Sequence, residues 1–363
     1  MKKYCIVSFC NMYILPYAKT YINQIVADGN TCTLLFWDRD AVDGNNDDFP
    51  ECEKKCYQRR MTPNSSKFDK IVGYMQATTF FKQVLKKNDF DGIVFLQTHA
   101  AVACKSVLES KYQKKYIVDI RDYSLENHNW YFKREKAVID HSFAAIVSSP
   151  AYAQFLPKHE YIVAHNYTPF SSEKIKAVRD RKNQNHPIVI SFVGTVRFIE
   201  MDKQILNLFK NDDRFIIGYY GTGSDILRQY CIDNEIKNVD FYGAFSPEMT
   251  IEFYKRTDLI NNLYGNKNKF LDYALSNKLY YAGQFHLPIL VCPDTYMEEV
   301  STEYNMGFVF DINNRTEPDR LYDWFKSFDK LEFEKGCDLF IDSVRKDNDK
   351  FLHVIDWFIN GDR

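Results

Sequence analysis

Short apolar runs alternate with longer amphipathic segments over most of this sequence. The runs 4–9, 92–96, 188–193 and 289–292 are predominantly apolar and have the length of β-strands. A strand that is apolar on both faces is typical of a parallel sheet covered by helices on both sides. The alternation therefore predicts an α/β fold, and 363 residues suit two domains better than one.

The segment 171–186 is the best candidate for a domain boundary. It is polar and charged, shows little apolar periodicity, and is followed by Pro187 and a buried strand. We therefore expect one domain over residues 1–170 and a second over 187–345.

Composition excludes several classes of protein. The net charge of −2 disfavours a general nucleic-acid binder. The sequence contains no run of about eighteen apolar residues, so we expect no membrane span. The nine cysteines are scattered and odd in number, which indicates a reducing cytoplasm rather than a disulfide framework. Cys52 and Cys56 form the one close pair, without Cys or His partners at zinc-site spacing.

The stretch 276–292 carries the strongest functional signal. It predicts a short helix, a turn that ends at Leu287-Pro288, and a buried strand. Lys278 lies in the first turn of that helix, where unpaired backbone N–H groups and the helix dipole favour an anion. A lysine beside them adds a full positive charge, so we expect this helix end to bind phosphate.

The same stretch resembles a signature of GT-B glycosyltransferases, in particular family 4 and its relatives. Asn277, Lys278, Leu279, Tyr280 and Leu287-Pro288 match that signature. Tyr281 and Tyr273 stand where the family has two glutamates, and His286 stands where it has a glycine. The order of strands, glycine turns and helices from residue 188 to residue 292 also follows the family.

The resemblance implies a fold and a donor site. It implies two Rossmann-like domains with the active site in the cleft between them, and a last segment, 346–363, that packs back on the first domain. The donor pyrophosphate would lie at glycine turns beside cations, although Arg197 and Lys203 are also interpretable as solvated surface charges. The residues expected to bind the donor are Gly194, Thr195, Arg197, Lys203, Gly221, Gly223, Phe245, Asn277, Lys278 and Leu279.

Two sites in the first half follow strands. His99 resembles the histidine with which many family members contact the donor sugar or the reacting centre, and a capping or solvated histidine is the alternative. We therefore expect His99, Arg197 and Lys278 to be catalytic. Asp119 and Asp122 belong to an Asp-x-Arg-Asp sequence. They are expected to bind acceptor hydroxyls, or else to form an ion pair that fixes their loop.

The segment Lys54–Lys87 is strongly basic. Nine lysines and arginines stand there against Asp69 alone, and apolar residues follow at roughly helical spacing. One interpretation is a helix that faces the core with a solvated basic side. The other is a surface that contacts an anionic membrane.

Taken with the resemblance, these features predict a metal-independent glycosyltransferase of the hexosyltransferase class. It would move a sugar from a nucleoside diphosphate sugar, a UDP sugar first, to a hydroxyl of a glycan or lipid-linked acceptor. The resemblance implies retention of configuration and a role in cell-surface polysaccharide synthesis. We expect a cytoplasmic protein at the inner face of the membrane, without a cofactor and without nucleic acid as a partner.

Two alternatives use the same scaffold. One is a nucleotide-sugar 2-epimerase, and the other is a catalytically silent transferase-like partner subunit, which Tyr273 and Tyr281 favour. An epimerase would convert the donor without an acceptor, and a silent partner would bind nucleotide weakly or not at all.

Overall fold

The chain forms two compact units in the computed structural model, which describes residues 1–41, 49–62, 64–180 and 187–361. Unit 1 comprises Met1–His165 together with Lys346–Arg363, and unit 2 comprises Asn166–Arg345. Each unit contains one parallel sheet with helices between successive strands. The predicted α/β architecture with two Rossmann-like halves is confirmed.

Unit 1 has a seven-stranded sheet in the order β3-β2-β1-β4-β5-β6-β7. Its strands are β1 (Lys3–Ser8), β2 (Thr31–Asp38), β3 (Glu53–Gln58), β4 (Gly92–Phe95), β5 (Tyr116–Ile120), β6 (Ala144–Val147) and β7 (Tyr161–Val163). Its helices before residue 166 are α1 (Ala18–Ala27), α2 (Lys67–Lys87), α3 (Thr98–Lys111) and α4 (Asn129–Asp140). The strand order reverses between β1 and β4, and open α/β sheets bind ligands beyond the carboxyl ends of strands at such a point.

The basic segment is a strand followed by a helix. The apolar residues for which we expected helical spacing, from Phe68 to Leu85, lie on α2, but residues 53–58, for which we predicted no strand, pair in parallel with β2 as the edge strand β3. The helix begins only at Lys67, where the Ser66 hydroxyl accepts a hydrogen bond from the N–H of Asp69 at 3.1 Å. Lysines on an edge strand discourage its pairing with other chains, so they are expected there as well as on the solvated side of a helix. The basic composition therefore did not distinguish a strand from a helix.

Unit 2 has a six-stranded sheet in the order β10-β9-β8-β11-β12-β13. Its strands are β8 (Ile188–Val193), β9 (Phe215–Tyr220), β10 (Val239–Tyr242), β11 (Leu259–Asn262), β12 (Ile289–Val291) and β13 (Gly307–Val309). Its helices are α5 (Ser172–Arg179), α6 (Ile199–Leu208), α7 (Ser224–Asp233), α8 (Thr250–Tyr254), α9 (Lys269–Asp272), α10 (Asn277–Phe285), α11 (Tyr296–Glu303) and α12 (Glu317–Ser327). Here the order reverses between β8 and β11.

The predicted linker is partly helical. We expected 171–186 to be an irregular connection, but Ser171 caps α5 by accepting the N–H of Lys174 at 3.4 Å. Val178 on that helix is fully buried in the core of unit 2. The contribution of one buried side chain is easily missed in a polar segment. Residues 181–186 lie outside the described residues, and the two units divide between His165 and Asn166.

The last helix, α13 (Lys330–Asn360), contributes to both units. Its second half supplies Phe351, Ile355 and Ile359 to the core of unit 1. The hydroxyl of Tyr4 on β1 donates to the Ile359 carbonyl at 2.9 Å. None of the helices in the described ranges combines the length and the apolar composition that crossing a bilayer requires.

Candidate functional site

Lys278 lies where the strand order of unit 2 reverses. It is the second residue of α10, and its own N–H donates to the capping hydroxyl of Ser276 at 3.2 Å. Its ammonium lies 3.9 Å from the centre of the Phe192 ring, at the end of β8. It also donates to the Tyr264 hydroxyl, just after β11, at 2.6 Å. Lys278 therefore connects the carboxyl ends of the two strands that border the reversal.

The charge of Lys278 is buried and is paired with no carboxylate in the described part of the chain. The residue is only 5 % exposed, and no acidic side chain in the described ranges forms an ion pair with it. The ring faces of Phe192 and Tyr264 stabilise the ammonium partly, because a cation is attracted to an aromatic quadrupole. A buried cation without a counter-ion is costly, which makes this position suited to an anionic ligand.

Asp202 on α6 is a buried acid close enough to sense Lys278. Its carboxylate accepts a hydrogen bond from the Tyr219 hydroxyl at 3.0 Å. Burial raises the pKa of Asp202 to about 6, and both this hydrogen bond and the positive charge of Lys278 oppose the rise. Asp202 thus neutralises Lys278 only through space and only when it is ionised.

Two glycine turns lie beside this lysine. Gly194 follows β8 and Gly221 follows β9, with φ angles of 135° and 143° that favour glycine. The turns are joined by hydrogen bonds from Gly194 N to Tyr220 O and from Val196 N to Thr222 O, both 2.9 Å. A β-carbon on Gly194 would lie 3.9 Å from the Lys278 ammonium, so this backbone is close to the charge.

Several backbone N–H groups of these turns donate to no acceptor in the described part of the chain. They belong to Thr195, Thr222 and Gly223, of which the first two are exposed. Gly223, with φ of 90°, is the N-cap residue of the ten-residue helix α7. Exposed amides at a glycine turn before a helix form a concave site for anions.

The two other predicted cations differ from each other. Arg197 is exposed and forms no ion pair within the described ranges. Lys203 on α6 pairs with Glu200 at 2.8 Å and lies over the Tyr230 ring at 5.3 Å. Arg197 therefore remains available to a ligand, whereas Lys203 already has an acidic partner.

The remaining predicted donor residues divide between surface and core. Asn277 is exposed at the start of α10, but Leu279 is fully buried and packs in the core of unit 2. Phe245 is half-buried against Phe253, with the ring centres 4.7 Å apart. Because its side chain is internal, Leu279 positions the helix and does not contact a donor directly.

His99 lies at the corresponding edge of unit 1, in the first turn of α3. Its ring packs on Phe9 and Tyr74, with ring centres 5.6 and 6.2 Å apart. Burial, reinforced by the charge of Arg39, lowers the pKa of His99 to about 4. His99 is therefore neutral at pH 7, and its Nε2 is buried without a hydrogen-bond partner among the described residues.

Asp119 and Asp122 have different environments. Asp119 is fully buried, pairs with Arg121 at 2.6 Å, and accepts from the Tyr21 hydroxyl at 2.8 Å. An acceptor hydroxyl does not reach such a carboxylate, so Asp119 takes the ion-pair role that the sequence left open. Asp122 is exposed, and its assignment to the acceptor stays a prediction. No three His, Cys, Asp or Glu side chains of the described ranges are grouped as metal ligands.

Comparison with known structures assigns the fold. No family model matches the chain, and no curated protein matches it in sequence. The lipopolysaccharide outer core galactosyltransferase WaaB in its apo form superposes with a TM-score of 0.66 at 12% identity, over 97% of this chain and 99% of that chain. Anabaena Alr3699/HepE in complex with UDP superposes with a TM-score of 0.66 at 11% identity, over 98% of this chain and 99% of that chain. Sucrose-phosphate synthase from Thermosynechococcus elongatus superposes with a TM-score of 0.67 at 10% identity, over 97% of this chain and 96% of that chain.

The chain has the GT-B fold. This confirms the resemblance at the level of architecture, because identities this low establish the fold alone. Within the GT-B fold, position 286 has a backbone conformation that suits the family's glycine, although it is a histidine. His286 ends α10 with φ of 51° and ψ of 54°, the left-handed conformation for which glycine is the usual residue. Its Nε2 lies 2.9 Å from an oxygen of Asp338.

The two tyrosines at the glutamate positions are not equivalent to carboxylates. Tyr281 packs its ring against Phe170 and Tyr254, with ring centres 5.6 and 5.5 Å apart. Tyr273 follows α9 and is half-buried. In this GT-B chain, position 281 therefore completes an aromatic core instead of presenting a charge.

Three residues of the site were not identified from the sequence. Phe192 and Tyr264 form the aromatic surroundings of Lys278, and Arg39 lies close to His99. Each stands at or just beyond the carboxyl end of a strand; Phe192 and Tyr264 lie at the ends of the two strands that border the reversal in unit 2, and Arg39 follows β2, which neighbours β1 in unit 1. That position was available as a signal, but it requires the strand order, which a single sequence does not state.

Proposed function

We propose that this protein is a glycosyltransferase that moves a sugar from a nucleoside diphosphate sugar to a hydroxyl acceptor. The observation that carries the proposal is the buried, carboxylate-free ammonium of Lys278 beside the glycine turns of unit 2. The diphosphate of a donor would supply the missing counter-charge. The backbone amides of Thr195 and Thr222, which donate to no acceptor among the described residues, would add hydrogen bonds to the same group.

The chemistry of the step explains why this arrangement is useful. As the glycosidic C–O bond breaks, negative charge grows on the departing diphosphate. Cations and amides that already point at that charge lower the barrier, because they need no reorganisation during the reaction. In this proposal Lys278 and Arg197 neutralise the leaving group, so the metal-independent mechanism predicted above is retained.

The finer assignments are part of the same proposal. UDP is the first nucleotide to test, because structures of HepE, which has the same fold, contain UDP and UDP-glucose. A glycan or lipid-linked acceptor, retention of configuration and a role in cell-surface polysaccharide synthesis follow from the resemblance. His99, neutral at pH 7, is suited to a hydrogen bond with a sugar hydroxyl rather than to charge stabilisation.

Contact with an anionic membrane is proposed for α2. Its first turns expose Phe68 (76 %), Ile71 (59 %) and Met75 (66 %). These residues are spaced three and four apart, so they lie on one side of the helix. Exposed Lys67 borders them, and α2 contains Asp69 as its one acid, already paired with Arg59. Insertion of the apolar side chains with lysines at the headgroups is the usual mode for such a helix.

Nucleotide-dependent thermal stabilisation tests the donor site. We expect UDP to stabilise the native protein more than GDP, CMP, ADP or dTDP at matched concentrations, by roughly 2.7 kcal/mol at 100 times Kd. Lys278→Gln should weaken binding at least tenfold, because hydrogen bonds to a charged group contribute about 1.5–3 kcal/mol. Lys255→Gln is the control, since Lys255 lies in the same unit and pairs with Glu252 at the surface.

The alternatives give different results in the same experiment. If no nucleotide stabilises the protein, the silent-partner hypothesis, favoured by Tyr281 and Tyr273, replaces the proposal. Conversion of a UDP sugar to its 2-epimer without acceptor would identify an epimerase. Equal stabilisation of wild type and Lys278→Gln by UDP would remove Lys278 from the donor site.

A further inference from the structure

Arg39 is a cation in unit 1 that pairs with no acidic side chain of the described residues. It directly follows β2, at the carboxyl edge of the sheet. Its guanidinium lies over the Trp37 ring at 4.8 Å and the Tyr74 ring at 5.4 Å, and its Nη2 donates to the Tyr74 hydroxyl at 2.9 Å. Its Nε is buried and donates to no acceptor in the ranges that the structure describes. The aromatic rings therefore fix the guanidinium in place without neutralising it.

The two aspartates beside Arg39 are used elsewhere. Asp38 accepts the side-chain amide of Asn11 at 2.8 Å and the backbone N–H groups of Asp40 and Ala41 at 3.1 Å. Asp40 accepts the Tyr13 hydroxyl at 2.7 Å. These contacts shape the turn after β2, and neither carboxylate pairs with the arginine in the described ranges. The guanidinium is thus left with unused donors at the edge where ligands bind.

His99 presents a second unused nitrogen in the same place. Its Nε2 is buried and has no hydrogen-bond partner among the residues that the structure describes, and its ring contacts Tyr74, the residue that also contacts Arg39. Burial, and to a lesser extent the charge of Arg39, lowers the pKa of His99. Buried polar groups in folded proteins are almost always satisfied, so two unsatisfied nitrogens around one aromatic ring point to an absent ligand.

The chemistry of these groups defines that ligand. A guanidinium presents a planar fork of N–H donors that matches two oxygens of a phosphate or a carboxylate. A neutral imidazole donates a further hydrogen bond without adding charge. We infer that Arg39 and His99 bind an oxyanion carried by the acceptor, either a phosphate or a sugar carboxylate. This inference rests on the proposed transferase function and narrows its acceptor to an anionic class.

The test follows the imidazole signal of His99 by nuclear magnetic resonance in the full-length protein. The signal is identified by its loss in His99→Gln. Methyl phosphate, glucuronate and glucose are then titrated in turn, so that the first two distinguish a phosphate from a carboxylate and glucose controls for neutral sugar binding. We expect a saturable shift with at least one anion, no saturable shift with glucose, and binding at least tenfold weaker in Arg39→Gln.

Arg228→Gln is the matched control, because Arg228 also lies over an aromatic ring, that of Phe241, but in unit 2. It should leave the His99 response unchanged. The inference is overturned if neither anion gives a saturable shift, or if glucose gives the same shift as the anions. Should Arg39→Gln fail to fold, the comparison of anions with glucose in the wild type still decides. If no nucleotide stabilises the protein but an anion shifts the His99 signal, only the donor site is rejected. If a nucleotide stabilises the protein but no anion shifts the His99 signal, only this inference is rejected.

Discussion

Gly221 is a residue whose backbone leaves little freedom for substitution. Its φ of 143° lies in the range that side chains rarely adopt, and a β-carbon there would lie 2.0 Å from the carbonyl oxygen of Gly194. The Gly194 oxygen belongs to the backbone of the neighbouring turn, so it does not move aside as a flexible side chain would. The close approach of the two turns therefore depends on glycine at this position.

We expect Gly221→Ala to destabilise unit 2 by roughly 3 kcal/mol or more, the sum of backbone strain and overpacking. Urea denaturation monitored by circular dichroism measures the loss. The control is Gly243→Ala, because a β-carbon on Gly243 meets no atom within 4 Å. Similar denaturation midpoints for the two variants would contradict the tight contact between the turns.

At the scale of elements, α2 combines a buried stripe with an unusually apolar outer side. Gly73, Ala77, Phe81 and Leu85 are buried and recur every four residues. Phe68, Ile71 and Met75 lie on the exposed side at the start of the helix, and exposed Lys86 and Lys87 follow at its end. Exposed apolar side chains beside lysines favour contact with a surface that is both apolar and negatively charged. A bilayer with anionic headgroups has both properties.

We expect Phe68→Ser, Ile71→Ser and Met75→Ser together to reduce binding to phosphatidylglycerol-containing vesicles more than tenfold. Inserting each such side chain contributes on the order of 1 kcal/mol or more. Cosedimentation with vesicles measures the effect. The matched control replaces Ile226, Ile232 and Leu331, which are similarly exposed but belong to unit 2. The membrane proposal would be contradicted if the two triple variants bound the vesicles equally well. It would also be contradicted if the wild-type protein bound neutral vesicles but not anionic ones.

On the scale of the whole molecule, the chain folds as two units with separate cores, and unit 1 is discontinuous in sequence. Residues near the end of α13 complete the core built by the first strands and helices. Ile355 is 1 % exposed, whereas Leu352 on the same helix is 38 % exposed. Substitution of these two neighbours therefore separates core packing from helix propensity.

We expect Ile355→Ala to destabilise unit 1 by about 2–5 kcal/mol, the usual cost of removing a buried isoleucine side chain. Leu352→Ala should cost much less, because little apolar surface returns to water. Hydrogen exchange measured by mass spectrometry should show faster exchange in β1 and β4 while α10 remains protected. Faster exchange of α10 to the same extent would mean that the two units unfold as one.

Sequence reasoning reached the fold because the signals of α/β folds are local. Buried parallel strands such as 188–193 are apolar on both faces, and helix ends carry their own signals, such as Ser276 before α10. The turn at Leu287-Pro288 and the strand that follows were predicted in the same way. The sequence analysis missed β3 and α5, because both segments are polar and basic. The first is an edge strand, and the second is a helix with one buried residue.

The sequence by itself determined the two Rossmann-like halves and the glycine turns, because each depends on residues adjacent in the chain, and it predicted a role for Lys278 in binding an anion. Only the tertiary structure decided which of the predicted charges are unpaired. Asp119 forms an internal ion pair and Lys203 pairs with Glu200, whereas Lys278 contacts two aromatic rings and the Tyr264 hydroxyl and forms no ion pair among the described residues. Arg39 and His99 come together because β2 and β4 both neighbour β1, although the two residues are sixty positions apart. Pairing of charges depends on distances across the sheet, and those distances are set by strand order and packing rather than by the sequence around each residue.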